Sequence, residues 1–97
     1  MHKFMRRKSN KLVGHPVYVY GRNSRSYKYL IFTHKPEKGK ENDYVELKHN
    51  IDPDKEGVEP TFVKKKFEVN RHDAFREPDK QYRIHIDDVL TIKKYKK

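Results

Sequence analysis

The chain has 97 residues, 33% hydrophobic and 39% charged, with no cysteine and a formal net charge of +10. That length suits one small domain with a modest core, and the missing cysteines exclude a disulfide framework and fit a reducing, cytoplasmic setting. An aromatic content of 12% argues against a disordered chain, and the longest apolar run, Tyr29–Phe32, is far too short to span a bilayer.

The charge is unevenly placed. Residues 1–36 hold nine Lys and Arg and no acidic residue, so +9 of the +10 sits in the N-terminal third. Eight of the 14 acidic residues fall between Glu37 and Glu59, a side expected to turn away from a polyanion. A concentrated positive field favours polyanions, of which RNA and DNA are the commonest.

In chain order, residues 1–13 read as a flexible basic arm without helical periodicity, ahead of a single domain over 14–97. No apolar run follows the first basic residues, so a secretory signal is not expected. No amphipathic helix or lipidation signal accompanies the basic cluster, which speaks against a membrane partner.

A β-hairpin follows, with strands over 16–20 and 27–33 joined by the turn-rich loop Gly21–Ser26. Alternation puts Val17 and Val19 on one face and Tyr18 and Tyr20 on the other. The second strand is apolar on both faces over Tyr29–Phe32, as expected near the middle of a curled sheet. Further strands are expected at Tyr44–Lys48, Thr61–Val69 and Tyr82–Ile86, separated by polar turns, with residues 70–80 irregular and Ala74 and Phe75 plugging one end of the core. Asp87 and Asp88 offer an N-cap for a short helix over Val89–Tyr95, with a sixth strand as the competitor. The fold class is mainly β: a small antiparallel barrel or curled sheet with a short C-terminal helix.

The hairpin is the leading binding candidate. Arginine grips phosphate with a planar, multi-donor group, and tyrosine faces stack on unpaired bases. Arg6, Arg7, Lys8, Tyr18, Tyr20, Arg22, Arg25, Tyr27 and Lys28 therefore form the expected nucleic-acid surface, with Tyr29 beside them and RNA or single-stranded DNA favoured. The competing reading makes the tyrosines half-buried packing residues of a small sheet.

Six histidines are spread along the chain at positions 2, 15, 34, 49, 72 and 85. None shows the helical spacing of a metal site, so neither a metal nor another cofactor is expected. His15 and His34 flank the hairpin base. With Thr33 they form a candidate acid–base set for attack by an RNA 2′-hydroxyl, against the plainer reading of two ordinary exposed histidines. The acidic run Asp52–Gly57 lacks the glutamate of a calcium loop, and there is no Walker loop, nucleophile elbow or dinucleotide fingerprint.

The run His15-Pro16-Val17-Tyr18-Val19, the Thr33-His34 turn and the Leu47–Pro53 turn together resemble small basic proteins of bacterial mobile elements and phages. More distantly, Pro16 and Thr33 resemble the R-P-x-V-V strand and strand-end threonine of the MazF/PemK toxin family. That resemblance implies an SH3-like barrel and a metal-independent endoribonuclease. His15 stands where that family has its functional arginine, and the usual G-D-I opening strand is absent. Three functions follow as expectations: nucleic-acid binding, a ribonuclease toxin, or a mobile-element module that binds an acidic protein.

Overall fold

The computed structural model describes residues 2–8, 15–78 and 80–96. Among them, seven antiparallel strands form one open sheet that carries a single short C-terminal helix. The strands are β1 (Lys3–Arg7), β2 (Pro16–Arg22), β3 (Ser26–Thr33), β4 (Tyr44–Glu46), β5 (Phe62–Lys64), β6 (Glu68–Arg71) and β7 (Phe75–Arg76), and the helix is α1 (Val89–Tyr95). The spatial order is β4-β5-β3-β2-β1-β7, with β6 also paired to β3. The sheet is open and does not close into a barrel.

The hairpin forms the centre of this sheet. Val17 pairs with Ile31 and Val19 with Tyr29, and the register then shifts at a bulge between Val19 and Gly21. The Asn23 side chain shapes the tip by accepting from the backbone N–H groups of Arg25 and Ser26 at 2.9 and 2.8 Å. A short polar side chain that bonds its own turn in this way is a standard reason for Asn in loops. β3 is covered along both edges: β2 on one side, and β5 and β6 in succession on the other. Its two-sided apolar pattern follows from that position.

The sheet buries a cluster on each face. Leu30, Phe32, Leu47, Ile51, Val63 and Ile92 form one, with Phe4, Tyr18, Tyr20 and Tyr82 packed against it. Met5, Val17, Val19, Tyr29 and Phe75 form the other, which Tyr27 and Ile31 flank. A single sheet with two apolar faces lets so polar a chain bury a core from few residues.

Four expectations need correction. The presumed arm over 1–13 contains β1, an interior strand paired with β2 on one side and β7 on the other. Residues 9–13 lie outside the described residues. β1 alternates, with Met5 turned to one cluster and Phe4 to the other, but its Lys and Arg positions mask the pattern. The expected strand Thr61–Val69 is interrupted at 65–67, and its two halves pair with different parts of β3. Residues 70–80 are not wholly irregular, because β6 ends at Arg71 and β7 follows a short 3-10 turn at His72–Ala74. Phe75 is buried, as expected of a plug.

The expected strand Tyr82–Ile86 does not form; the chain there is extended but joins no ladder and runs into a 3-10 turn at Ile86–Asp88. Tyr82 and Ile84 still pack on the core, whereas Ile86 is 81% exposed. The helix forms over Val89–Tyr95. Asp88 occupies its N-cap position without making a side-chain cap bond. Its buried carboxylate instead accepts from the backbone N–H groups of Lys48 at 2.7 Å and His49 at 3.0 Å. That carboxylate ties the 47–51 turn to the start of α1.

Candidate nucleic-acid interface

The β-sheet alternation separates the hairpin tyrosines. Tyr18 and Tyr20 project to the α1 side, while Tyr27 and Tyr29 project to the opposite side. Tyr29 is buried at 1% exposure and meets Phe75 edge-on at 5.0 Å between centroids. Tyr27 lies against His72 at 4.3 Å. The four tyrosines therefore do not make one platform; Tyr18 and Tyr20 share a face, and Tyr29 is core.

The face that holds Tyr18 and Tyr20 carries a groove of about 550 Å³. Its floor is aromatic: Phe4 lies 5.2 Å from Tyr18 and 5.7 Å from Tyr82 between ring centroids. Its rim is basic, with Lys3, Arg83, Lys93 and Lys96 all lining it. Lys3 is paired with Glu77 at 2.5 Å, which offsets one of these charges. The cationic row extends along β2: the ammonium groups of Lys96 and Lys28 lie 5.8 and 5.9 Å from the Tyr20 ring centroid. Lys28 also sits 4.3 Å over Phe67. Burial pushes the Tyr18 phenol pKa up, so it stays a hydrogen-bond donor at neutral pH. Desolvation, then Lys96, lowers the pKa of His2 at the same rim. Lysines on α1 and arginine at 83 were not among the expected binding residues. Their only sequence signal was the lysine run after Ile92, which read as a helix end.

The other expected contacts are dispersed. Arg6 is buried and donates to the Tyr82 hydroxyl, so it packs within the fold. Arg7 is half-buried on β1, and Lys8 is exposed while its backbone N–H donates to Ala74. Arg22 and Arg25 are exposed at the hairpin tip. Arg25 shares a shallow depression there with Ser24, Ser26, Arg71 and His72.

The hairpin base forms a separate cleft of about 440 Å³. His15, Thr33 and His34 line it together with Arg6, Lys80 and Tyr82. Desolvation lowers the pKa of His15, and the nearby His34 and Arg6 lower it further. His15 is therefore neutral at pH 7 and able to accept a proton. The Thr33 hydroxyl is already committed, donating to the Lys35 carbonyl at 3.0 Å and accepting from the Lys35 N–H at 3.2 Å. Thr33 thus builds the turn that carries His34.

The fold also makes one histidine cluster that the sequence did not announce. His49 and His85 stack at 3.6 Å between centroids with 19° between their planes. His49 Nδ1 lies 2.7 Å from Glu56 Oε1, and its Nε2 lies 2.9 Å from Asp87 Oδ2. Hydrogen bonding to Asp87, then to Glu56, raises the His49 pKa. Hydrogen bonding to His49 holds the Asp87 carboxyl below its usual range. Glu56 is lowered chiefly by the Asn50 backbone N–H, then by His49.

Comparison with protein-family models, curated proteins and solved structures finds no match for this chain, so the functional reading rests on the geometry above.

Proposed function

We propose that this chain binds single-stranded nucleic acid, RNA or DNA, in the groove between β1, β2 and α1. The observation that carries the reading is the aromatic floor of Phe4, Tyr18 and Tyr82 beneath Arg83, Lys93 and Lys96 in one concavity. Single-strand binders combine these two parts: stacking faces that accept any base, and cations that follow the backbone. Beside the groove, Lys28 and Lys96 flank the Tyr20 ring and add cationic charge on the same face. A polyanion approaching the chain meets a +10 molecule, which speeds encounter as well as strengthening contact. A bacterial, mobile-element origin and a cytoplasmic setting belong to this reading. No helix among the described residues is long and apolar enough to cross a membrane.

Fluorescence anisotropy with labelled oligo-U and oligo-dT tests the proposal. Four or five neutralised phosphates give a slope of log K against log salt near about −3 for a single strand. Changing Arg83, Lys93 and Lys96 to Ala should bring that slope toward zero by about 2. Tyr18→Leu removes the stacking ring, keeps an apolar side chain on the core, and should weaken binding by about 1–3 kcal/mol. Absence of salt-sensitive association at low ionic strength, or a triple variant that binds as wild type does, refutes the proposal. Binding only to an acidic protein, in a pull-down that nuclease does not disturb, also refutes it.

A second reading rests on the hairpin-base cleft. His15, kept neutral beside His34 with Arg6 and Lys80 on the walls, suits metal-independent cleavage of RNA by a toxin of MazF/PemK type. It requires cleavage in EDTA that His15→Ala or His34→Ala abolishes. Intact RNA after incubation with the wild-type chain removes it.

A further inference from the structure

We propose that His49, His85 and Asp87 bind one divalent transition-metal ion, with Glu56 orienting His49. This site lies outside the aromatic groove and does not depend on nucleic-acid binding. Its three ligand atoms lie within 4.8 Å of one another. His49 Nε2 is 2.9 Å, and His85 Nδ1 3.5 Å, from the same Asp87 oxygen. In a tetrahedral site with bonds of about 2.0–2.1 Å, ligand atoms stand about 3.3 Å apart. Both separations are close to that value before any ion enters.

The surroundings are those of a metal-bound histidine. A ligating imidazole usually gives its second N–H to a carboxylate, which fixes its orientation and raises its basicity. Glu56 Oε1 occupies that place at 2.7 Å from His49 Nδ1. Glu56 is itself held through its other oxygen, which accepts from the Asn50 N–H at 2.6 Å. The buried Asp88 carboxylate fastens the His49 backbone beside the segment that carries His85 and Asp87. Ion capture releases the His49 Nε2 proton to solvent and turns the partly exposed His85 ring out of its stack, so that both lone pairs converge. It also exchanges the Asp87 N–H donated to His85 Nδ1 for a metal bond.

Two imidazole nitrogens and one carboxylate oxygen, without thiolate, select zinc, cobalt, nickel or copper over magnesium or calcium. Asp87 is exposed, so the remaining coordination positions face solvent. The ion joins the 49–56 turn to the start of α1.

The test is calorimetric titration of the untagged chain with zinc chloride, with cobalt absorption as a second readout. The expected result is one ion per chain. His85→Ala and Asp87→Asn should each weaken binding tenfold or more, and Glu56→Gln by about 10- to 100-fold. Zinc at about a hundred times its Kd should raise the Tm by about 10 °C. Replacing His2, His15, His34 and His72 together should leave the stoichiometry and affinity unchanged. Should His49→Ala fail to fold, His85→Ala decides, because that ring is partly exposed. Absence of a zinc-dependent heat and of a cobalt spectrum overturns the proposal. Unchanged binding in His85→Ala and Asp87→Asn overturns it equally.

Discussion

Replacing Asp88 tests how the fold holds its C-terminal segment. The carboxylate is 1% exposed and accepts two backbone N–H groups, from Lys48 at 2.7 Å and His49 at 3.0 Å. Hydrogen bonds to a charged group contribute about 1.5–3 kcal/mol each. Asp88→Ala removes both acceptors and leaves two donors without partners, while it also relieves the desolvation of a buried charge. Because these effects partly offset each other, the expected net loss is about 3 kcal/mol, the lower end of the two-bond sum. Asp88→Asn keeps one acceptor oxygen but sets an NH₂ group against the second donor; its expected loss is about 2 kcal/mol. Small domains have only about 5–15 kcal/mol of stability, so either change is large. Urea unfolding followed by far-ultraviolet circular dichroism measures it, as a lower midpoint with unchanged slope. An Ala variant within about 0.5 kcal/mol of wild type, the range of ordinary surface substitutions, refutes the tie.

Other outcomes follow from the same structure. Phe32 is fully buried, so Phe32→Ala should cost about 3–5 kcal/mol by the same unfolding measurement. Amide hydrogens within β1 should exchange slowly, as interior-strand amides do; exchange at unprotected rates across Lys3–Arg7 contradicts the strand. The folded pKa of His15 lies below 6.5, so its contribution to stability is present above pH 6.5 and is lost as pH falls toward the folded value. His49, raised above 6.5, contributes with the opposite sign. The informative quantity is therefore the difference between wild type and His15→Gln in thermal unfolding from pH 7.5 to about 5.5. The variant should lose less stability over that range, and equal losses contradict the assignment. Thr33→Val should leave the fold nearly intact at a cost of about 1 kcal/mol while freeing the turn that carries His34.

The hairpin and the C-terminal helix were legible in the sequence because local signals agreed. Val17/Val19 against Tyr18/Tyr20 alternate cleanly, Gly21–Ser26 is dense in turn residues, and the Val89–Tyr95 segment ends in lysines. β1 was hidden because four of its neighbouring positions, Lys3, Arg6, Arg7 and Lys8, are cationic, and only Phe4 and Met5 carry the apolar alternation. Tyr82–Ile86 shows the opposite case. Its alternation reports that Tyr82 and Ile84 are packed, but the segment meets the 47–51 turn through the Arg83 N–H to Ile51 carbonyl bond and not through a strand ladder. The hairpin tyrosines read as one group in the sequence, but the pairing of the two strands places Tyr18 and Tyr20 on the α1 side and Tyr27 and Tyr29 on the other. The lysines of α1 join Tyr18 only through tertiary packing, and His49 meets His85 only because Asp88 ties the 47–51 turn to α1. No short-range pattern encodes those contacts.

Titrating oligo-U into wild type and the Arg83/Lys93/Lys96→Ala variant over a range of salt measures binding in the groove itself. Wild type should show a steep salt dependence near about −3, reduced by about 2 in the variant, with unchanged circular dichroism. Equal slopes for the two proteins contradict it.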